Sequence, residues 1–253
     1  MPGLPRMSYW ATFIVVAMTG VNVAQAIELK VMAASAVKEA YLELVSDFEN
    51  SSGNKVITIW GGTEGLAKRI SGGEVVDIVI VAAPNIDKLI MEGKLVAGSR
   101  ADIAKSGVGI ALRTGLPKPD ISSAEAVKRA VLAATSVAYS TGPSGFYIAD
   151  LFKKMGITDQ IQDKVRQPAS GAPLGELVAR GEADLGFEQI SNLLHVKGID
   201  YLGPLPPEIQ NITIYSAGVH AQAPAPDAAK ALVKFLIAPE AGPIIKKIGM
   251  EPS

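Results

Sequence analysis

A repeated order of elements constrains this chain more than any single residue does: a short apolar strand, then a small or hydroxyl-bearing residue, then an amphipathic helix. Residues 29–33, 55–60 and 77–82 read as strands, and residues 37–48, 64–70 and 84–92 as the helices that follow them. The apolar face of the first helix includes Val37, Tyr41, Leu44 and Val45. Residues 77–82 are almost continuously apolar, the pattern of a strand covered on both faces. Strands alternating with helices in this way predict a parallel, doubly wound α/β sheet.

Two prolines and a glycine in Gly115-Leu116-Pro117-Lys118-Pro119-Asp120 interrupt the pattern, which then restarts. Ser122 and Glu125 form a capping-box pair that opens a helix to about Ala134. Residues 136–140 and 184–187 read as strands, and residues 144–155 and 174–180 as helices. Near the C-terminus, residues 211–219 alternate like a strand, and helices over 227–237 and 239–248 are expected to return to the first lobe. The expected fold is two doubly wound α/β lobes with a ligand cleft between them. Residues 27–112 and 216–253 would build one lobe and residues 113–215 the other.

Composition narrows the function classes. The 253 residues carry 24 Lys and Arg against 25 Asp and Glu with no basic run, so nothing marks a nucleic-acid partner. Cysteine is absent and the two histidines, His195 and His220, lie far apart in sequence, which argues against thiolate chemistry and a paired-histidine metal site. Neither a metal nor a cofactor is expected. At the N-terminus, Arg6 precedes an apolar stretch from Trp10 to Met18 and the small-x-small sequence Ala24-Gln25-Ala26. That is the layout of a secretory signal peptide over residues 1–26, cleaved after Ala26, which sends the mature chain to the periplasm. No later stretch approaches spanning length, so the mature chain is expected to stay out of the membrane, as a monomer.

Three places share one grammar, in which a strand ends, a Ser or Thr with small neighbours appears, and a helix begins. They are Ala33-Ala34-Ser35, Gly61-Gly62-Thr63 and Gly142-Pro143-Ser144-Gly145. Each puts a hydroxyl and unpaired backbone N–H groups at the positive end of a helix. Taken singly, each is also an ordinary helix cap. Together they describe an anion receptor built from dipoles.

The stretches Val31-Met32-Ala33-Ala34-Ser35, Gly61-Gly62-Thr63, Leu66-Ala67-Lys68-Arg69-Ile70 and Val76-Asp77-Ile78-Val79-Ile80 resemble the periplasmic molybdate-binding proteins of ABC importers. The resemblance extends through Ser144-Gly145, residues 181–187 and Lys234-Phe235-Leu236, essentially the whole mature chain. It implies a type II solute-binding fold, a small anionic ligand held by hydroxyls and amides, and an ABC permease as partner. It assigns ligand contacts to Ser35 and Thr63, to the Ser144-Gly145 and Ser170-Gly171 segments, and to Gln189. Thr63 stands where the family has serine and Gln189 where it commonly has tyrosine, while Glu64 stands where it prefers glycine.

Residues 113–122, 136–140, 178–183 and Tyr215-Ser216 resemble a subgroup of the same superfamily that includes aconitate isomerase. Two functions follow as expectations. One is capture of a molybdate-like oxyanion or small carboxylate for import. The alternative is allylic proton transfer between trans- and cis-aconitate, with Glu64 as the acid or base. Glu64 reads more readily as a first-turn residue that meets the helix dipole and faces solvent. Tyr147 is a weaker acid–base candidate that also fits a core-facing position, and Trp60 fits either the pocket or the core. Lys38 and Arg166 could meet carboxylates if they point inward, and His195 reads as a surface or capping residue.

Overall fold

The computed structural model describes residues 26–169 and 172–253. The expected leader, apart from Ala26, lies outside the described residues, as do Ser170 and Gly171. In the first lobe, β1 (Glu28–Ala34), β2 (Lys55–Gly61) and β3 (Ile78–Ala82) form a parallel core with β1 in the middle. Met32 pairs with Ile59 on one side and Val79 on the other. Helices α1 (Lys38–Ser52), α2 (Thr63–Ser71) and α3 (Ala83–Met91) follow these strands in turn. β3 is buried at every position. Its Ile78 and Ile80 cluster with Tyr41, Leu44 and Phe48 of α1, while Val79 and Val81 cluster with Leu66 and Ile70 of α2 and Leu89 of α3. Both faces being covered is what its unbroken apolar run requires.

The next strand, β4 (Ala101–Arg113), is 13 residues long and serves both lobes. The second lobe continues through α4 (Ala124–Ala133), β5 (Val137–Tyr139), α5 (Pro143–Lys154), α6 (Thr158–Ile161), β6 (Val165–Arg166), α7 (Leu174–Ala179), β7 (Leu185–Gln189), α8 (Ile190–Leu193) and β8 (Ile199–Pro204). β9 (Ile212–Val219), α9 (Pro226–Leu236), α10 (Gly242–Lys247) and β10 (Glu251–Pro252) then return to the first sheet. α9 and α10 pack Leu232 and Ile245 into the α1 face of that sheet. In the second lobe, Ile110, Val137 and Phe187 cluster with α4 and α5 on one face, and Ala111 and Ala138 with α7 on the other. Each sheet is therefore covered on both sides. Among the described residues, no helix is long and apolar enough to cross a membrane.

The sheets depart from the all-parallel expectation. β9 runs antiparallel to β3 and to the first half of β4, and β7 and β8 run antiparallel to its second half. The reason is connectivity: β4 and β9 carry the chain from one lobe to the other and back, in opposite directions. The capping box is also corrected. Ser123 caps α4, its Oγ accepting from the Ala126 N–H at 3.2 Å, while the Ser122 N–H donates to Asp120 Oδ1 at 2.9 Å. Asp120 draws Ser122 into the preceding turn, so the helix starts one residue later.

Two polar ties hold this path together. Buried Asp77 accepts from the Lys30 N–H at 2.8 Å and from the Ala225 N–H at 2.9 Å, fixing the approach to α9 against β1. Where β4 changes partners, its pairing with β9 ends at Gly107 and its pairing with β7 begins at Val108. There the Gln210 side chain acts as a neighbouring strand would: the Val108 N–H donates to its Oε1 at 2.8 Å, and its Nε2 donates to Val108 O at 3.0 Å. Gln210→Ala removes the acceptor from a buried N–H, and a loss of about 1–3 kcal/mol is expected. Urea unfolding monitored by circular dichroism would measure it; an unchanged midpoint would mean that water replaces the amide.

Candidate functional site

The cleft holds a cavity of about 440 Å³ whose wall draws on both lobes. Ser35 opens a short 3-10 turn that leads into α1, and Thr63 is the first residue of α2. From the second lobe, Ser140, Thr141, Gly142 and Pro143 bring the start of α5 to the same space. None of these three helix starts uses a side-chain cap. The hydroxyls of Ser35 and Thr63 therefore do not cap their own helices, against the ordinary-cap reading. The Thr63 side chain, 2% exposed, has an Oγ1 with no hydrogen-bond partner among the described residues. Among the described residues, Ser35 Oγ makes only a long contact with Gly61 O, at 3.4 Å. Backbone N–H groups in the first turns add further donors and positive potential.

Ser144 lies behind this wall, fully buried, and its Oγ donates to Glu188 Oε1 at 2.8 Å. Gly145 lets α5 press against the preceding loop: a Cβ there would sit 1.5 Å from Ser140 O. Gln189 is buried at the end of β7, where its Nε2 donates to Thr213 Oγ1 of β9 at 2.9 Å and so ties the lobes together. Glu64 stands on the exposed face of α2, where Asn85 Nδ2 donates to its Oε1 at 3.1 Å, and it is absent from the cavity wall. Tyr147 is turned away as well, its hydroxyl donating to Ile209 O at 2.7 Å. Arg166 folds back onto the carbonyls of Asp163 and Val165. Trp60 and Lys38 do line the cavity, with the Lys38 Nζ 6.0 Å from the centre of the Trp60 ring. His195, read from sequence as a surface or capping residue, is exposed and also lines the cavity.

The residue that sequence reasoning missed is Glu188. It is 6% exposed, lines the cavity at the carboxyl end of β7, and takes a second hydrogen bond, from the Gln189 N–H at 2.8 Å. Burial raises its pKa, partly opposed by the Gln189 N–H and by hydroxyl donors including Ser144 and Ser140. Buried Tyr215 of β9 stands beside it, its own pKa raised by burial and by the Glu188 charge. The available signal was a single carboxylate closing an otherwise uncharged buried strand, Leu185-Gly186-Phe187-Glu188. A carboxyl whose pKa is raised by burial in a cleft is a candidate to hold or exchange a proton. Among the described residues, no cluster of three or more His, Asp or Glu side chains is arranged to hold a metal ion.

A cleft between two doubly wound lobes, walled by helix starts, defines the class of type II periplasmic binding proteins with a molybdate-binding-like scaffold. The chain belongs to the bacterial extracellular solute-binding protein family, which it matches over residues 29–251. It is 34% identical to an aconitate isomerase from a Pseudomonas species, over 99% of this chain and 97% of that enzyme. It is 31% identical to the molybdate-binding protein ModA of Azotobacter vinelandii, over 89% of this chain and 90% of that protein. The solved periplasmic molybdate-binding protein of Azotobacter vinelandii superposes with a TM-score of 0.76 at 20% identity, over 89% of this chain and 99% of that one. The sulfate-binding protein SubI of Mycobacterium tuberculosis superposes with a TM-score of 0.73 at 16% identity, over 89% and 87%.

The raised pKa of Glu188 fixes the sign of a stability effect. The native state keeps the proton over a range in which the unfolded chain has released it. The stabilisation is therefore complete below the unfolded pKa and is lost as pH rises through the native pKa. Glu188→Gln should remove that decline, so urea midpoints of the variant gain on those of the wild type as pH rises. Parallel profiles across the series would contradict the raised pKa.

Proposed function

We propose that the chain is an exported periplasmic receptor that closes its two lobes on a small anion and delivers it to an ABC importer. The observation that carries this reading is Thr63, a residue of the cavity wall whose buried hydroxyl has no hydrogen-bond partner among the described residues. A buried hydroxyl left unpaired costs about 1–3 kcal/mol, which an anionic acceptor would offset. Ser35 and the start of α5 supply donors to the same space without adding formal charge. The cavity is roomy enough for a small carboxylate as well as a tetrahedral oxyanion, and Lys38 adds a cation at its wall. The partner change in β4 supplies a place for hinge closure. The ligand-contact roles of Ser35, Thr63, Ser144, Gly145, Ser170, Gly171 and Gln189 are part of this proposal.

A second reading, isomerisation of trans- and cis-aconitate, is favoured by Glu188 and by the full-length similarity to an aconitate isomerase. In that reaction a base removes a proton from the methylene carbon, the double bond shifts, and the same proton or another is returned to the far allylic carbon. Glu188 lines the cavity and has the raised pKa such a base needs, whereas Glu64 faces Asn85.

The test uses the mature protein with trans-aconitate and, separately, molybdate. Titration calorimetry should show binding that weakens about fivefold to tenfold in Thr63→Val, the loss of one hydrogen bond of about 1 kcal/mol, with an unchanged or raised unfolding midpoint. Equal affinity in the variant would remove Thr63 from the ligand shell. Proton NMR of the aconitate mixture decides between the readings: turnover abolished by Glu188→Gln selects the isomerase, and binding without turnover selects the receptor.

A further inference from the structure

We infer that the cleft captures its anion together with a proton, and that Glu188 is the group that takes it. The inference rests on the anion reading above and holds for a receptor and an isomerase alike. Glu188 lines the same cavity as Thr63 and Ser140, so a bound anion comes to rest in one space with a largely buried carboxyl group. Its polar partners are hydroxyl and amide groups, with no cation among them in the described residues. Two negative charges without a cation between them are unfavourable in such a space, and protonation turns the repulsion into a donated hydrogen bond.

The hydroxyls beside it make the change usable. Ser140 Oγ lies 3.0 Å from Ser144 Oγ, which lies 2.8 Å from Glu188 Oε1. With the carboxyl ionised, hydrogens point from Ser140 to Ser144 to Glu188. Once the carboxyl is protonated, the order can reverse, because each hydroxyl has one hydrogen and two acceptor sites. Ser140, itself on the cavity wall, then offers its hydrogen to the ligand. The step balances: a proton leaves a solvent or buffer acid, forms one O–H bond on the Glu188 carboxylate as the anion enters, and returns to solvent when the anion leaves.

Other titratable groups face this space. Tyr215 of β9 is held neutral by burial and by the charge of Glu188. Across the cavity stand Lys38 and Glu39 of α1, Glu176 of α7 and, beyond α8, His195.

Titration calorimetry of the mature protein in buffers of different ionisation enthalpy, from about pH 5 to about pH 9, counts protons taken up per anion bound. Molybdate and trans-aconitate serve as ligands. The wild type should take up close to one proton above the pKa of free Glu188, with affinity falling about tenfold per pH unit there. Glu188→Gln, which keeps an acceptor for Ser144 and for the Gln189 N–H, should take up none and bind with little pH dependence. Zero uptake by the wild type at every pH overturns the inference even if the variant does not fold. Equal uptake in a folded variant also overturns it and places the proton on another group or on the ligand. Absence of binding by both anions down to about pH 5 overturns instead the anion reading on which the inference rests.

Discussion

Val108 sits where β4 leaves one sheet for the other, and a strand at that point has no neighbour on one side. Unpaired backbone groups buried between two lobes are costly, so the crossing depends on the Gln210 amide, which takes the Val108 N–H and joins the Leu205 N–H at the Val108 carbonyl. Continuity of the strand fixes how the second sheet is offset from the first, and that offset opens the cavity. Gln189 and Thr213 add a second polar tie across the same seam. The two lobes are thus joined at their seam by side-chain amides.

Much of this architecture is legible in the sequence because burial leaves a periodic trace. β3 announces itself through residues that must be apolar on both faces, and α1 through Tyr41, Leu44 and Val45 on one side. β4 leaves no such trace. Its burial is irregular in the first half and continuous in the second, and Asp102, Lys105 and three small residues, Ser106, Gly107 and Gly109, blur the pattern. The glycines are there because the crossing is crowded: a Cβ on Gly109 would come within 2.8 Å of the Tyr201 ring. Similarly, Ser122 and Ser123 are both fit to cap, and Asp120 makes the choice by drawing the Ser122 N–H into the turn before the helix.

The site was half legible for a related reason. Ser35 and Thr63 follow strand ends, so their position is a local matter of where a strand stops and a helix starts. Glu188 and Glu64 both sit near such ends, yet only one faces the cavity. Which one depends on strand parity and helix phase relative to a wall assembled from distant segments. β7 turns Phe187 into the α5 face and Glu188 toward Ser144, whereas Glu64 follows Thr63 on α2 and faces Asn85 of α3. The result is a wall in which neutral donors surround a carboxyl that burial keeps from ionising readily.

The contact between Gly145 and Ser140 O bears on how such a cleft can diverge. No side chain at position 145 is compatible with that loop, so the backbone donors at the start of α5 are fixed in place once the fold forms. The side chains at 35, 63, 140 and 188 are under no comparable steric lock. Descendants of this scaffold can therefore exchange one ligand, or one chemistry, for another by replacing a few wall side chains over an inherited frame of N–H groups. A transport receptor and an enzyme can then stand only a few substitutions apart.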